Sequence, residues 1–302
     1  MTSGVGALVF WPQTPLLIDG VNADDDAALA ELRSACSAAF AAARKATGAD
    51  AQILVLAERP DDAGPAGEPA STGPAGEPAS TGPAGEPAST GVSYGTLAGF
   101  GVERTVLLRN GRLEPDSVPP DDAVPLGPNA TVALLLLAEI SAADAGPIRV
   151  VELDRPGFDP GHIDSSGQFE TTAPVAWLLE ISASRPTIVL VCGDGSARST
   201  RMSPGPYHPD ADGFDQQIFG ALSESDPEAL IRATTTDSTE LQVSGVAAWR
   251  TAAALAHLLP ESAATDGSGA ENGFRTAVRF TNRPFGVRYF VATWTLTKPS
   301  SS

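Results

Sequence analysis

The chain has 302 residues, 42% of them hydrophobic, and its 37 acidic against 19 basic residues give a net charge of −18. That length provides one large domain or two small ones, with enough apolar surface for a core. So acidic a surface repels phosphate backbones and anionic lipid, which argues against nucleic-acid and membrane-surface partners.

Gly6–Trp11 (GALVFW) reads as a strand that stops at Pro12-Gln13-Thr14-Pro15. Asp24, Asp25 and Asp26 then precede Leu29, Leu32, Cys36, Phe40 and Ala43, a helical stripe with carboxylates in its first turn, Arg44 and Lys45 in its last, and Gly48 as a stop. Ala51–Leu56 (AQILVL) is a second buried strand, so the first 56 residues suggest a βαβ unit with parallel pairing. From Gly64 to Thr90 the nonamer GPAGEPAST repeats three times. It has no apolar surface to bury, and glycine is not at every third position as collagen needs. We expect residues 62–92 to be a disordered low-complexity insertion, an expansion tolerated within a surface loop.

A strand is expected at Thr105–Leu108, followed by an Asn110-Gly111 turn. Thr131–Ala143 reads as a buried helix, Ile148–Leu153 as a strand and Ala173–Ser184 as a helix. In TIVLVCGDGSARST, the apolar run Ile188–Cys192 stops at Gly193-Asp194-Gly195-Ser196, the signature of a buried strand closed by a tight loop. Asp212 and Asp215 resemble a capping box before a helix at Phe214–Leu222; another helix begins at Asp226-Pro227, and Gly245–Leu259 is amphipathic. Phe274, Thr276, Val278 and Phe280 alternate, Asn282–Gly286 turns, and Val287–Leu296 returns as a strand apolar on both faces, hence central. The pattern predicts an α/β fold: one three-layer α/β/α domain over residues 1–302, with a mostly parallel central sheet and a C-terminal hairpin.

Cys36 and Cys192 are expected as buried thiols in a reducing compartment rather than as a disulfide. The longest apolar run, Val132–Leu137, is far short of the ~20 residues a bilayer requires, and no basic residue precedes Arg33 to form the charged region of a signal peptide, so we expect a cytoplasmic protein.

The loop after Cys192 is the strongest candidate site, because ligands bind open α/β sheets at the carboxyl ends of strands. It is not a dinucleotide fingerprint, since Arg198 takes the third glycine position, and Ser196 lacks the flanking glycines of a nucleophile elbow. Asp210-Ala211-Asp212-Gly213 begins like a calcium loop but has Ala221 where the late glutamate belongs. Arg198 and Arg201, with Ser196, Ser199 and Thr200, either form an anion pocket or pair with surface carboxylates. The three histidines, His162, His208 and His257, lie in Pro/Gly-rich loops or on a helix among polar neighbours, without a triad pattern.

Gly193–Ile218 (GDGSARSTRMSPGPYHPDADGFDQQI), Phe285–Trp294 (FGVRYFVATW), Trp11–Leu17 (WPQTPLL) and Val246–Leu255 (VAAWRTAAAL) together resemble a group of actinobacterial proteins that are similar to the catalytic subunit of class III extradiol (aromatic ring-opening) dioxygenases. The resemblance spans nearly the whole chain apart from the nonamers. It implies a scaffold whose enzymes hold iron(II) with two histidines and a glutamate, beside a further acid/base histidine. At the turn after the first strand, where the first ligand is implied, this chain has Gln13. After the second strand it offers Glu58 and no histidine. In the late Gly/Ser loop it has Ser196-Ala197.

The expectation is therefore a degenerate or repurposed member with a polar pocket rim. Gln13, Thr14, Glu58 and Arg198 would bind a small anionic or phenolic ligand, and Asp194 and Ser196 would be the catalytic candidates. No cofactor is expected. Iron(II) belongs to the alternative of an active metal-dependent dioxygenase or oxidoreductase with atypical ligands. A third reading is a non-catalytic interaction protein. No segment signals an oligomer interface.

Overall fold

A computed structural model of the chain describes residues 4–21, 27–59, 91–141, 146–154, 173–234, 239–259 and 273–296. The nonamer repeats, the carboxylates at 24–26 and His162, all singled out above, lie outside the described residues. In chain order the elements are β1 (Gly4–Trp11), α1 (Ala27–Thr47), β2 (Gln52–Arg59), β3 (Val92–Thr96), β4 (Thr105–Arg109), β5 (Arg112–Pro115), β6 (Val124–Pro125) and α2 (Pro128–Ser141). They continue with β7 (Ile148–Asp154), α3 (Ala173–Ala183), β8 (Pro186–Cys192), α4 (Ala211–Glu224), α5 (Pro227–Thr234), α6 (Val246–Leu258), β9 (Phe274–Asn282) and β10 (Tyr289–Leu296).

The central sheet has six strands in the order β7-β2-β8-β1-β10-β9. Its fold class is α/β as expected, but the sheet is mixed rather than mostly parallel. β7, β2, β8 and β1 run parallel, while β10 pairs antiparallel with both β1 and β9. β10 is interior, as its two apolar faces require. The expected βαβ pairing also changes: β8 lies between β1 and β2, with Leu8 opposite Val189 and Ile53 opposite Ile188. Each residue from Ile188 to Cys192 is wholly buried, so the strand apolar on both faces takes the most covered position.

Alternation along the strands supplies two cores. Leu8, Phe10, Leu54, Leu56, Val189 and Val191 face α3, α4, α5 and α6, whereas Ala7, Val9, Ile53, Val55, Ile188 and Leu190 face α1 and α2. Aromatic rings fill the first core: Phe10 and Trp294 centroids lie 4.8 Å apart and Trp249 meets Phe290 edge-on at 5.9 Å.

A second sheet, β5-β4-β3-β6, packs against α2. Only β4 and its following turn are legible in the sequence; Asn110 and Gly111 both adopt positive φ, at 52° and 75°, as a tight hairpin demands. Val92 already pairs with Arg109 in this sheet, so the last residue assigned to the insertion belongs to β3. α4 begins at Ala211, a turn earlier than expected, so Asp215 is no cap; it points inward and is wholly buried. Asp226 does cap α5, its Oδ1 accepting the Ala229 N–H at 2.9 Å. Both cysteines are free and buried, and no helix among the described residues is long and apolar enough to cross a membrane.

Candidate functional site

The carboxyl ends of β1, β8 and β2 lie side by side, with Trp11 opposite Cys192 and Leu56 opposite Val191. The ladder runs on for one step past the strands, the Gly193 N–H donating to the Trp11 carbonyl at 2.9 Å. There the loop crosses two other segments. The Asp194 N–H donates to the Ser244 carbonyl at 2.8 Å and the Ser244 N–H returns to the Asp194 carbonyl at 3.2 Å, while the Gly195 N–H donates to the Arg288 carbonyl at 2.8 Å. Asp194 thus bridges the segment leading into α6 and the start of β10 at Tyr289.

Gln13 and Asp194 meet at this junction. The Gln13 backbone N–H donates to Asp194 Oδ1 at 3.0 Å, and the Gln13 side-chain amide donates to Ser244 Oγ. Gln13 is only 3% exposed, yet its Oε1 has no hydrogen-bond partner among the described residues. A buried amide oxygen left unpaired costs about 1–3 kcal/mol. Thr14 is also buried, and its hydroxyl is hydrogen-bonded to the Tyr289 phenol.

The electrostatics follow from crowding. Burial pushes the Asp194 carboxyl up to about 7, opposed by the Gln13 N–H, although the residue keeps partial contact with solvent. Tyr289 is pushed up to about 12, first by burial and then by the Asp194 charge. Burial raises both thiols as well, and the Asp194 charge adds to the effect at Cys36 and Cys192. The Asp194 charge thus helps to keep both thiols and the Tyr289 phenol neutral, while its own proton affinity is set by burial against the Gln13 N–H.

Glu58, the last residue but one of β2, is 2% exposed. Its Oε2 accepts the Ala247 N–H at 2.9 Å, placing a carboxylate at the start of α6, where the helix dipole favours negative charge. Gln13, Glu58 and Asp194 thus converge on one segment, Ser244–Ala247. That segment is tightly fitted: a Cβ on Gly245 would come within 2.3 Å of the Gly193 Cα, and a Cβ on Gly193 within 2.5 Å of the Trp249 indole.

Ser196 and Arg198 turn away from the junction. Ser196 is wholly buried; its hydroxyl donates to the Leu241 carbonyl at 2.6 Å and accepts the Arg198 N–H at 3.0 Å. Arg198 donates Nε to the Pro206 carbonyl at 2.6 Å and a terminal nitrogen to the Glu240 carbonyl. Its guanidinium clamps two backbone segments, an arrangement that is neither an anion pocket nor a pair with a surface carboxylate. Arg201 is exposed.

Residues that sequence reasoning missed hold this loop in place. Asp215 Oδ1 accepts the Ser196 N–H at 2.8 Å and Oδ2 the Ser199 hydroxyl at 2.7 Å, and Arg283 and Arg288 approach Oδ2 as well, at 3.6 and 3.8 Å. Burial raises its pKa, while these donors and the two guanidiniums pull it back. Arg283 also bonds Asp212, which it holds below the ordinary carboxylate range, and Arg288 reaches Asp212 at 3.0 Å. One signal was available: Asp215 falls on the helix face of Ala211, Ile218 and Leu222, and a carboxylate on an apolar stripe demands internal partners.

Among the described residues, no group of three or more His, Cys, Asp or Glu side chains is placed to hold a metal ion. His208 lies near Asp210 and Glu240, and His257 near Glu228 on the last turn of α6. No family model matches this chain, and no curated protein does either.

Proposed function

We infer that the chain binds a small molecule at the junction of Gln13, Thr14, Asp194 and Tyr289, on a scaffold that resembles the catalytic subunit of extradiol dioxygenases but does not work through a ferrous centre. The observation that carries this reading is the unpaired, buried Oε1 of Gln13 beside a carboxyl raised to about 7. Buried polar groups are otherwise almost always paired, and raised carboxyl pKa values gather at functional sites.

The donor set does not suit iron(II). One amide and two carboxylates, one of which is already spent on the Ala247 N–H, differ from two imidazoles and a carboxylate. No step is therefore routed through a metal. Asp194 can hold a proton near neutral pH and pass it to or from a bound group, so acid/base chemistry on the ligand is within its reach. Gln13 and Thr14 orient the ligand. Glu58, Ser196 and Arg198 position the backbone around it. Two buried thiols suit a reducing interior, which makes the cytoplasm our proposed location.

The test combines metal analysis of the purified chain with a catechol ring-opening assay and a ligand screen by thermal shift on wild type and Asp194→Asn. The reading predicts substoichiometric iron, no ring opening, and stabilisation by a ligand that is lost in the variant. Stoichiometric iron with ring opening would overturn it.

A further inference from the structure

Resting on that reading, we propose that the junction selects a cationic ligand, a primary or secondary ammonium, and that the carboxylate of Asp194 and the amide oxygen of Gln13 are its two acceptors.

Two oxygens at the junction remain unspent. Asp194 Oδ1 takes the Gln13 N–H, and Oδ2 takes no hydrogen bond among the described residues. Gln13 Oε1 is likewise unpaired, because the amide nitrogen is committed to Ser244. Both unspent atoms are acceptors, and an ammonium carries two or three N–H donors with no acceptor of its own.

The charges point the same way. Two nearby arginines are engaged elsewhere: Arg198 on two carbonyls, and Arg288, whose own carbonyl takes the Gly195 N–H, on Asp212 and Asp215. Among the described residues no cation contributes to the state of Asp194, which is set by burial and one N–H. An anionic ligand would meet an unopposed carboxylate, whereas an ammonium would supply the counter-charge the site lacks.

Binding is then coupled to proton release. The groups facing Asp194 are Cys36 from α1, Cys192 from β8 and Tyr289 from β10, with Ser244 neutral at the approach to α6. All three titratable neighbours stay protonated across neutral pH, so only Asp194 changes charge there. The cation binds the ionised form, which rises from about a tenth to about nine-tenths of the population between pH 6 and 8 for a carboxyl near 7.

The experiment titrates the full chain with three probes of one shape: benzylamine, benzyl alcohol and benzoate, by calorimetry at millimolar concentration. The expected result is that benzylamine binds best, tightens about ninefold from pH 6 to 8, and releases protons, seen as a heat that varies with the ionisation enthalpy of the buffer. Asp194→Asn and Gln13→Leu, checked for folding by circular dichroism, should each weaken it at least about tenfold. If benzoate or benzyl alcohol binds better, or benzylamine binds without pH dependence in the wild type, the inference falls while the ligand site stands. If none of the three binds at any pH, the ligand-site reading itself falls.

Discussion

The backbone N–H of Gln13 donates to Asp194 Oδ1 across 3.0 Å, while the Asp194 backbone is clasped from the other side by Ser244, in both directions, at 2.8 and 3.2 Å. The end of β1, the end of β8 and the entry to α6 are therefore one mechanical unit. A carboxyl gripped at its oxygen and its backbone cannot swing into solvent to escape an unfavourable environment, so its proton affinity has to change instead.

That change has a sign. The folded-state pKa of Asp194 is raised to about 7 from an ordinary value near 4, so the folded protein keeps a proton that the unfolded chain has released. The stability this group contributes is whole below the unfolded value and is lost as pH rises through the folded one. Urea midpoints of wild type and Asp194→Asn should thus diverge with pH. Between about pH 5 and 8 the wild type should lose about 2 kcal/mol relative to the variant, allowing for its partial solvent contact. Parallel curves would show that the carboxyl titrates normally.

Asp215 should be the costliest carboxylate to remove. Its deletion strands the Ser196 N–H and the Ser199 hydroxyl and leaves two half-buried arginines with Asp212 alone. Asp215→Ala should lose about 3 kcal/mol in urea unfolding, while Asp212→Ala, at a more exposed position, should lose less than half as much. Equal losses would mean that Asp215 does not organise the loop.

Gly245 tests the close approach beside the site. It has φ +99°, and a Cβ there would lie 2.5 Å from the Cys192 carbonyl oxygen. Gly245→Ala is expected to cost at least about 2 kcal/mol through backbone strain and overlap. Gly213→Ala, in α4 with open space around its Cβ position, should instead stabilise by about 0.5–1 kcal/mol. Similar midpoints for the two variants would contradict this packing.

How much of this was legible depended on which force left a mark in the sequence. The strands of the parallel half announce themselves through unbroken apolar runs such as Ile188–Cys192, and the interior place of β10 through its two apolar faces. The insertion of β8 between β1 and β2 leaves no local mark, because strand order is decided by which strand most needs cover. β3 was invisible since its inward residues are Ser93 and Gly95, the latter fitted against Thr131 where a Cβ would overlap the hydroxyl. At the site, Gln13, Glu58 and Asp194 could be located because strand ends carry polar loops. Ser244 and Tyr289 are reached only by long-range backbone pairing. Ser196 and Arg198 look chemical in sequence and turn out to be bonded to carbonyls of 241, 206 and 240, contacts that no spacing rule foretells.

The thiols give an independent check on the second core. Burial raises both Cys36 and Cys192, so neither supplies thiolate at neutral pH. A disulfide-exchange reagent such as DTNB should label neither in the native chain and both in urea, with native labelling following the unfolding rate. Rapid labelling of one thiol in native protein would show an opening through the second core that these wholly buried thiols do not have.

The most direct test follows the Asp194 carboxyl itself. In protein labelled with carbon-13 at aspartate side chains, the resonance that disappears in Asp194→Asn can be titrated from about pH 4 to 9. A midpoint near 7, moving downward when benzylamine is added, is the predicted result. A midpoint near 4 that ignores the amine would contradict the account, because it would mean that the carboxylate is already solvated or paired with a cation.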